Sequence, residues 1–494
     1  ELRAREAVRP GITGLWQVEA RDNPSFLAYR RFDLFYIQNW SVALDLMILA
    51  STAEALIARV LRMARHATED IHLGKGRHQP SLPRLEPVGP PSRRPAPHAT
   101  SRPRRHDRAG RAGPGLPDDD GTPDDGPISV LHVAQSTRYG LQRYLEDLVA
   151  AQTRAGWDVT VATAADEPLA DTCAGLGAAF RPWDAQRSPG PSVARELVAF
   201  GRLVDEVAPD VVHLHSSKAG LVGRLALRGR RPTIFSPHAW SFLHTGRALH
   251  GATLAWERRA ASWADMVLCV SAAERARGEE AGVHARFRVV PNAVDLERFR
   301  AAEPGERERV RQELDLPAGP LAVCIGRLVP QKGQDALVAA WDEVRRHVPD
   351  ASLVLVGEGQ LGSTLDGSGV TLVGASDAVR SWIVAADVVV QPSRWEGMSL
   401  TVLEALGCGR SVVATDVEGM REALGDDFPA GAVVPVGDTE GLVAAVVERL
   451  TTPGLRACEE RLAGDRAARF SVAAWGLMMR ALTRDVAAAR LPTP

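Results

Sequence analysis

The run PSRWEGMSLTVLEALGCG, residues 392–409, constrains this chain more than any other stretch, because it reads as a strand end, a glycine turn and the opening of a helix. The string from Asp387 to Ser393 has the β-branched density of a buried strand, and Pro392 stops it before the loop. Glu396 therefore falls on a turn, where Gly397 lets the backbone approach a ligand closely. The segment from Ser399 to Leu406 is rich in helix formers, with Gly407 as its expected C-terminal cap, so Glu404 lies inside the helix. The first amides, around Met398, Ser399 and Leu400, lack intrahelical partners and carry the positive end of the dipole, which favours an anion by about 0.3–1 kcal/mol. A diphosphate fits that position. A carboxylate one or two turns further in only accepts hydrogen bonds and can take both hydroxyl protons of a ribose. Taken alone, the two glutamates also fit a plainer reading as solvated helix charges.

About seventy residues earlier, LAVCIGRLVPQKGQDALVAAW repeats the theme with a strand, a turn at Gly326, the cations Arg327 and Lys332, and a helix. A breaking sugar–nucleotide bond leaves negative charge on the diphosphate, which a divalent metal or fixed cations must meet. Arg327 and Lys332 are expected to take the metal's place. No cofactor is then expected beyond a nucleotide diphosphate sugar as donor substrate. Ordinary loop cations are the alternative when this motif stands alone.

The segment ISVLHVAQST reads as a strand, followed by Arg138 to Gly140, the helix LQRYLEDLVAAQTRAGW and the strand DVTVATA: a βαβ opening. In DVVHLHSSKAGLVGRLAL, His213 and His215 share one face because strand side chains alternate. A His-x-His pair suggests a metal, yet no third ligand follows at a recognisable spacing, so buried, hydrogen-bonded histidines are expected. The next strand, PTIFSPHAW, delivers His238 at its carboxyl end, where open α/β sheets bind ligands. Asp118 to Asp120 sit in a Gly/Pro tract and not at a strand end, which argues against a metal there. Cys408 is expected to be a small buried filler and not a nucleophile.

From about Ile128 to about Leu491 the chain resembles a retaining glycosyltransferase of family 4, an α/β protein of the GT-B fold. The likeness rests on GRLVPQKG, VVPNAVDLERF, LVLVGEG and EGMSLTVLEAL in that family's order. It implies two Rossmann-like domains facing a cleft: an acceptor domain at about 128–297 and a nucleotide-sugar domain at about 298–470. A final helix within 471–494 would return to the first domain. By resemblance Glu404 holds the ribose, Glu396 contacts the donor sugar, and Arg327 with Lys332 clamps the diphosphate. His238 would lie near the transferring sugar and its phosphate, with Gly140, Gly326, Gly397, Met398, Ser399 and Leu400 lining the donor. Two positions depart from the family pattern. Ala293 stands where a glycine is usual, and Tyr139 with Gly140 stands in place of a two-glycine loop. The resemblance implies transfer to a hydroxyl with the anomeric configuration kept. An epimerase, a phosphorylase or a non-catalytic nucleotide-binding scaffold are the alternatives on the same fold.

Residues 1–63 have another character. VRPGITGLWQV and RRFDLFYIQNWSVALDLMILASTAEALI resemble the C-terminal end of bacterial sugar transferases, the polyprenyl glycosylphosphotransferases, through Pro10 to Gly14 and the series Asp33, Tyr36, Asn39, Trp40 and Asp45. That family's membrane helix and catalytic Asp-Glu dyad are missing from the sequence, so this part is expected to be inactive. Asp45, Glu54 and Arg59 interrupt any apolar run of eighteen between Trp40 and Leu61, and a helix packed on a domain or on a membrane surface is expected. From 64 to 127 Pro, Arg, His and Gly dominate, and a disordered linker is expected.

Composition narrows the function classes further. The formal net charge of −2 argues against general nucleic-acid affinity, which needs a strongly basic domain. Five scattered cysteines without a CxxC pair suit a reducing cytoplasm. Arg247, Arg258 and Arg259 could face an acceptor diphosphate or an anionic membrane, so peripheral contact with the inner face of the membrane enters as an expectation. The sugar-transferase tail points to a sugar acceptor linked to polyprenyl diphosphate, in polysaccharide assembly.

Overall fold

The computed structural model describes residues 127–186, 189–243, 245–425 and 430–489. The sugar-transferase-like segment, the linker with Asp118 to Asp120, and the side chain of Arg247 lie outside the described residues.

Two parallel sheets organise the described chain. Ser129–Ala134 (β1), Asp158–Thr163 (β2), Ala179–Pro182 (β3), Val211–His215 (β4), Thr233–Ser236 (β5), Met266–Cys269 (β6) and Phe287–Val289 (β7) run in the order β3-β2-β1-β4-β5-β6-β7. Leu321–Ile325 (β8), Ser352–Val356 (β9), Val370–Gly374 (β10), Val388–Gln391 (β11), Val412–Thr415 (β12) and Gly431–Val434 (β13) run in the order β10-β9-β8-β11-β12-β13. Both orders reverse direction at one point, between β1 and β4 and between β8 and β11. Crevices form there at the carboxyl ends of strands. This is the GT-B arrangement of two Rossmann-like domains.

Helices on both sides explain why the central strands are apolar throughout: a parallel sheet covered on two faces has no solvent face to keep polar. In the first domain Val130, Val159 and Val211 pack with Tyr144, Leu148 and Trp475, whereas Leu131, Val133 and Leu214 pack on the other side with Phe200 and Trp240. Trp475 belongs to the last helix, Val472–Ala488, which lies against the helix Gly140–Thr153. A Cβ on Gly476 would stand 3.0 Å from the Ala151 methyl, and Arg480 donates to the Ala151 carbonyl at 3.1 Å.

Around Glu404 the helix runs Leu400–Gly407 and so takes in the residue expected to cap it. Gly407 is the last helical residue, Cys408 follows it, and Gly409 takes the left-handed turn at φ 66°. The glycine at 407 serves close packing, since a Cβ there would meet the Phe299 carbonyl at 2.5 Å. Cys408 is fully buried, and burial pushes its thiol up to about 12, which suits a filler. Among the described residues no helix is long and apolar enough to cross a membrane.

Candidate functional site

The second sheet supplies most of the polar groups. β8 ends at Ile325, and the chain turns through Gly326 (φ 152°) into Arg327 and the short turn Pro330–Lys332. β11 ends at Gln391 and feeds the loop carrying Glu396. The two loops meet at Gly333, whose φ is 70° and where a Cβ would overlap the Pro392 carbonyl at 1.9 Å, so only glycine closes the contact. Arg394 donates to both carboxylate oxygens of Asp335, at 2.8 and 2.9 Å, and Gln331 Nε2 donates to the Trp395 carbonyl at 3.1 Å.

These contacts bring Lys332 onto Glu396, with Nζ 2.6 Å from Oε1, and the Ser393 hydroxyl donates to the same oxygen at 2.8 Å. Arg327 Nη2 donates to Gln331 Oε1 at 3.2 Å, and Gln334 Nε2 holds the Arg327 carbonyl at 2.9 Å. Gly326 packs on the Lys332 stem, 3.6 Å from its Cδ and Cε when a Cβ is added. Arg327, Lys332 and Glu396 thus share one pair of interlocked loops, and the helix bearing Met398, Ser399 and Leu400 at its start follows directly.

Ser399 occupies the N-cap position without bonding its own helix. Its hydroxyl is buried and has no partner among the described residues. That leaves the helix start and one hydroxyl for another group.

The first domain reaches into this site at three places. After β1, Thr137 N donates to Glu167 at 2.8 Å and Arg138 Nε donates to the same carboxylate at 3.3 Å, fixing the loop. Tyr139 follows at φ 61°, a left-handed conformation that suits the glycine it replaces, and its ring centroid lies 5.7 Å from Arg327 Cζ. Gly140 comes against the Leu400 side chain, 3.5 Å from an added Cβ. One turn on, Arg143 Nη1 donates to Glu404 Oε1 at 2.5 Å. Burial holds the Glu404 carboxyl above the usual carboxylate range, with Arg143 the foremost influence in the other direction.

The second place is the turn after β5, where His238 (φ 50°) and Ala239 (φ 83°) are both left-handed. Glu274 holds that turn by accepting from Ala239 N at 2.6 Å and Val270 N at 2.8 Å. Gly397 approaches it so closely that a Cβ would lie 2.8 Å from Val270 Cγ2 and 3.4 Å from Ala239 N. His238 and the Glu396 loop are therefore neighbours across the cleft. Third, Asn292 Nδ2 donates to the Met398 carbonyl at 2.8 Å, tying the segment between the domains to the helix start.

Behind His238 lies a cluster that spacing alone does not reveal. His132 of β1 is the register partner of His213 in β4, and His215 stands two residues along on the same face. The third imidazole expected to be missing from a His-x-His site is thus supplied by His132 of a neighbouring strand; pairing between distant strands, not local spacing, brings it there. Arg143, Glu274 and Gln331 were likewise not singled out by sequence, since each acts through a contact distant in the chain. Arg258 donates to the Ala281 carbonyl at 2.6 Å and Arg259 lies 4.7 Å from the Trp263 ring centroid, so both have contacts within the first domain.

Family models match this chain in three places: glycosyltransferase family 4 at residues 139–298, glycosyl transferases group 1 at 319–452, and bacterial sugar transferase at 1–59. The GDP-mannose-dependent alpha-(1-6)-phosphatidylinositol monomannoside mannosyltransferase of Mycolicibacterium smegmatis is 34% identical over 289 residues, 54% of this chain and 72% of that protein. The chain belongs to glycosyltransferase family 4. A second relative of this glycosyltransferase is the UDP-Gal:alpha-D-GlcNAc-diphosphoundecaprenol alpha-1,3-galactosyltransferase of Escherichia coli, 29% identical over 51% of this chain and 69% of that one. In fold the glycosyltransferase is similar to Anabaena HepE in complex with UDP-glucose, with a TM-score of 0.64 and 21% identity over 72% of this chain and 100% of that chain.

Proposed function

We propose that this glycosyltransferase moves a sugar from a nucleotide diphosphate sugar to the hydroxyl of a lipid-linked sugar, keeping the anomeric configuration and using fixed cations in place of a metal. The observation that supports this most is the Lys332–Glu396 pair at 2.6 Å, set beside Arg327 at the carboxyl edge of the second sheet. Two cations on interlocked loops meet the charge that develops on a departing diphosphate without reorganising as the bond breaks. The Ser399 hydroxyl, without a partner among the described residues, and the helix start beside it suit the same anion.

Glu404 accepts the ribose hydroxyls, and Glu396, oriented by Lys332 and Ser393, contacts the donor sugar. The acceptor hydroxyl attacks on the face from which the leaving group departs, and the leaving phosphate takes its proton. Closure of the first domain over the second excludes the water that would hydrolyse the donor. The relatives named above support a lipid-linked acceptor, being named for a phosphatidylinositol mannoside and a diphosphoundecaprenol.

The test is a screen of nucleotide sugars for thermal protection of the full chain. Turnover with a protecting donor is then followed on lipid-linked acceptors in excess chelator, with the product's anomeric configuration read by NMR. One donor should raise the melting point and give a product of unchanged configuration at an undiminished rate. An inverted product, or a rate abolished by chelator and restored by a divalent ion, would overturn the corresponding part of the proposal.

A further inference from the structure

Three imidazoles and one amide connect the first sheet's interior to the cleft. His238 Nε2 stands 3.2 Å from His215 Nδ1, His215 Nε2 stands 3.1 Å from His132 Nδ1, and His132 Nε2 stands 2.7 Å from Gln152 Oε1. His132, His215 and Gln152 are fully buried. His213 lies beside this chain, its ring centroid 4.0 Å from that of His215, and bonds sideways to the Ser236 hydroxyl at 2.8 Å. Tyr144 closes the outer side, edge-on to His215 and His238 and backed by Trp475.

Burial drives His132 and His238 down to about 4 and holds His213 and His215 well below the ordinary histidine value. The rings are thus neutral at physiological pH. A neutral imidazole has one N–H and one lone pair. Three rings bonded head to tail therefore share one direction, and the group at the inner end sets it. The amide oxygen of Gln152 only accepts, so His132 carries its proton on Nε2 and presents a lone pair at Nδ1. His215 must then donate from Nε2, and His238 must donate from Nε2 to His215 Nδ1.

We propose that Gln152, His132 and His215 are positioning residues that fix His238 as its Nε2–H tautomer, leaving the Nδ1 lone pair to accept a hydroxyl of the transferring sugar. The inference rests on the donor reading given above and assigns the chemistry of one contact within it. His132, His213 and His215 also bring ligand atoms within 4.8 Å of one another, as a metal site would. Both nitrogens of His132 and of His215 are already used in the chain, however, and an ion held between these two rings would have to break the bond that joins them. The left-handed turn at His238 has a use in this arrangement: it lets the ring meet His215 at the end of β4.

The experiment uses the full chain labelled with ¹⁵N-histidine, and two-bond nitrogen–proton correlation reads each tautomer directly. His132, His215 and His238 should all appear as neutral Nε2–H rings at neutral pH. Gln152→Leu removes the terminal acceptor and should convert His238 to a mixture of tautomers. With the identified donor it should lower kcat by about two- to tenfold, the worth of one hydrogen bond, with KM for the donor nearly unchanged. Gln152→Glu keeps an acceptor-only end while its carboxylate is ionised, and in that form it should restore the wild-type tautomer. His213→Asn, which lies outside the chain, should leave the His238 signal as in wild type and shows that loss of a buried neighbour alone does not shift it.

An Nδ1–H tautomer for His238 in the wild type, or a Gln152→Leu protein with unchanged tautomer, overturns the proposal. So does stoichiometric uptake of Zn²⁺ that abolishes the His132 and His215 signals. Because the tautomers are read without turnover, they stand even if no nucleotide sugar is accepted; that second failure strikes the donor reading alone.

Discussion

Arg143 and Glu404, 261 residues apart, meet at 2.5 Å, joining the first helix of one Rossmann-like domain to the helix that starts the proposed nucleotide site of the other. Arg143 also lies 5.2 Å from the Phe299 ring centroid, beside the segment that links the domains. One carboxylate thus has two tasks. It ties the two domains together through Arg143, and in the proposed function it receives the ribose hydroxyls.

Glu404→Ala should weaken nucleotide binding by about 1.5–3 kcal/mol, the range for a hydrogen bond to a charged group. Calorimetric titration with the nucleotide measures this, and equal affinity in the variant would remove Glu404 from the ribose. Arg143→Ala and the double variant complete a cycle. Because the two groups touch, their effects on stability should not add.

Arg327→Ala should slow turnover on the order of a hundredfold or more, because one fixed donor to developing charge is worth about 2.7–4 kcal/mol. Gln331 and Gln334 hold Arg327 at its side chain and backbone, so the loop loses a partner but keeps its glycine contacts at Gly333. Single-turnover kinetics at saturating donor isolates the effect. An unchanged rate would take Arg327 out of the chemistry.

Local signals carried much of this protein. The β-branched strings of β8 and β11, the glycine turns after them and the helix around Glu404 are all visible within about twenty residues, and they locate Arg327, Lys332 and Glu396 on facing loops. What escapes is pairing. Nothing near His132 says that strand register will set it opposite His213, and nothing near Arg143 says that it faces Glu404, because both depend on how sheets and domains assemble. Gly407 shows a smaller version of the same limit. Its position near a helix end suggests a cap, but the Phe299 carbonyl, over a hundred positions earlier, is what requires a hydrogen there.

Asp147 gives the fold a pH dependence. Burial pushes its carboxyl from 3.8 up to about 7, with the charges of Asp295 and Glu146 adding to the rise. Between those values the native chain holds a proton that the unfolded chain has released, so stability falls as pH rises through this window and levels off above it. Asp147→Asn should remove that loss. The variant should match the wild type near about pH 4 and exceed it by about 1–2 kcal/mol near about pH 8, a figure reduced for partial solvent access. Urea unfolding across the range checks it, and a gap that does not grow with pH would clear Asp147 of the role.

Gly397 is a point where the two domains meet beside the His238–Ala239 turn, and it tests whether their approach matters for chemistry. An added Cβ would lie 2.8 Å from Val270 Cγ2, 3.4 Å from Ala239 N and 3.5 Å from Glu274 Oε1, all in the first domain. Gly397→Ala must therefore push the Glu396 loop away from the His238–Ala239 turn, or displace the Glu274 carboxylate that holds that turn. Arg327, Lys332, Ser399 and Glu404 all lie in the second domain, so nucleotide affinity should change little. Misplacement by about 1 Å costs up to about a hundredfold in rate, so kcat should fall by roughly ten- to a hundredfold while the nucleotide still binds. Overpacking should also lower stability by about 1–3 kcal/mol. A variant that melts earlier yet turns over at the wild-type rate would mean that Gly397 serves packing alone and that the two loops need not touch during transfer.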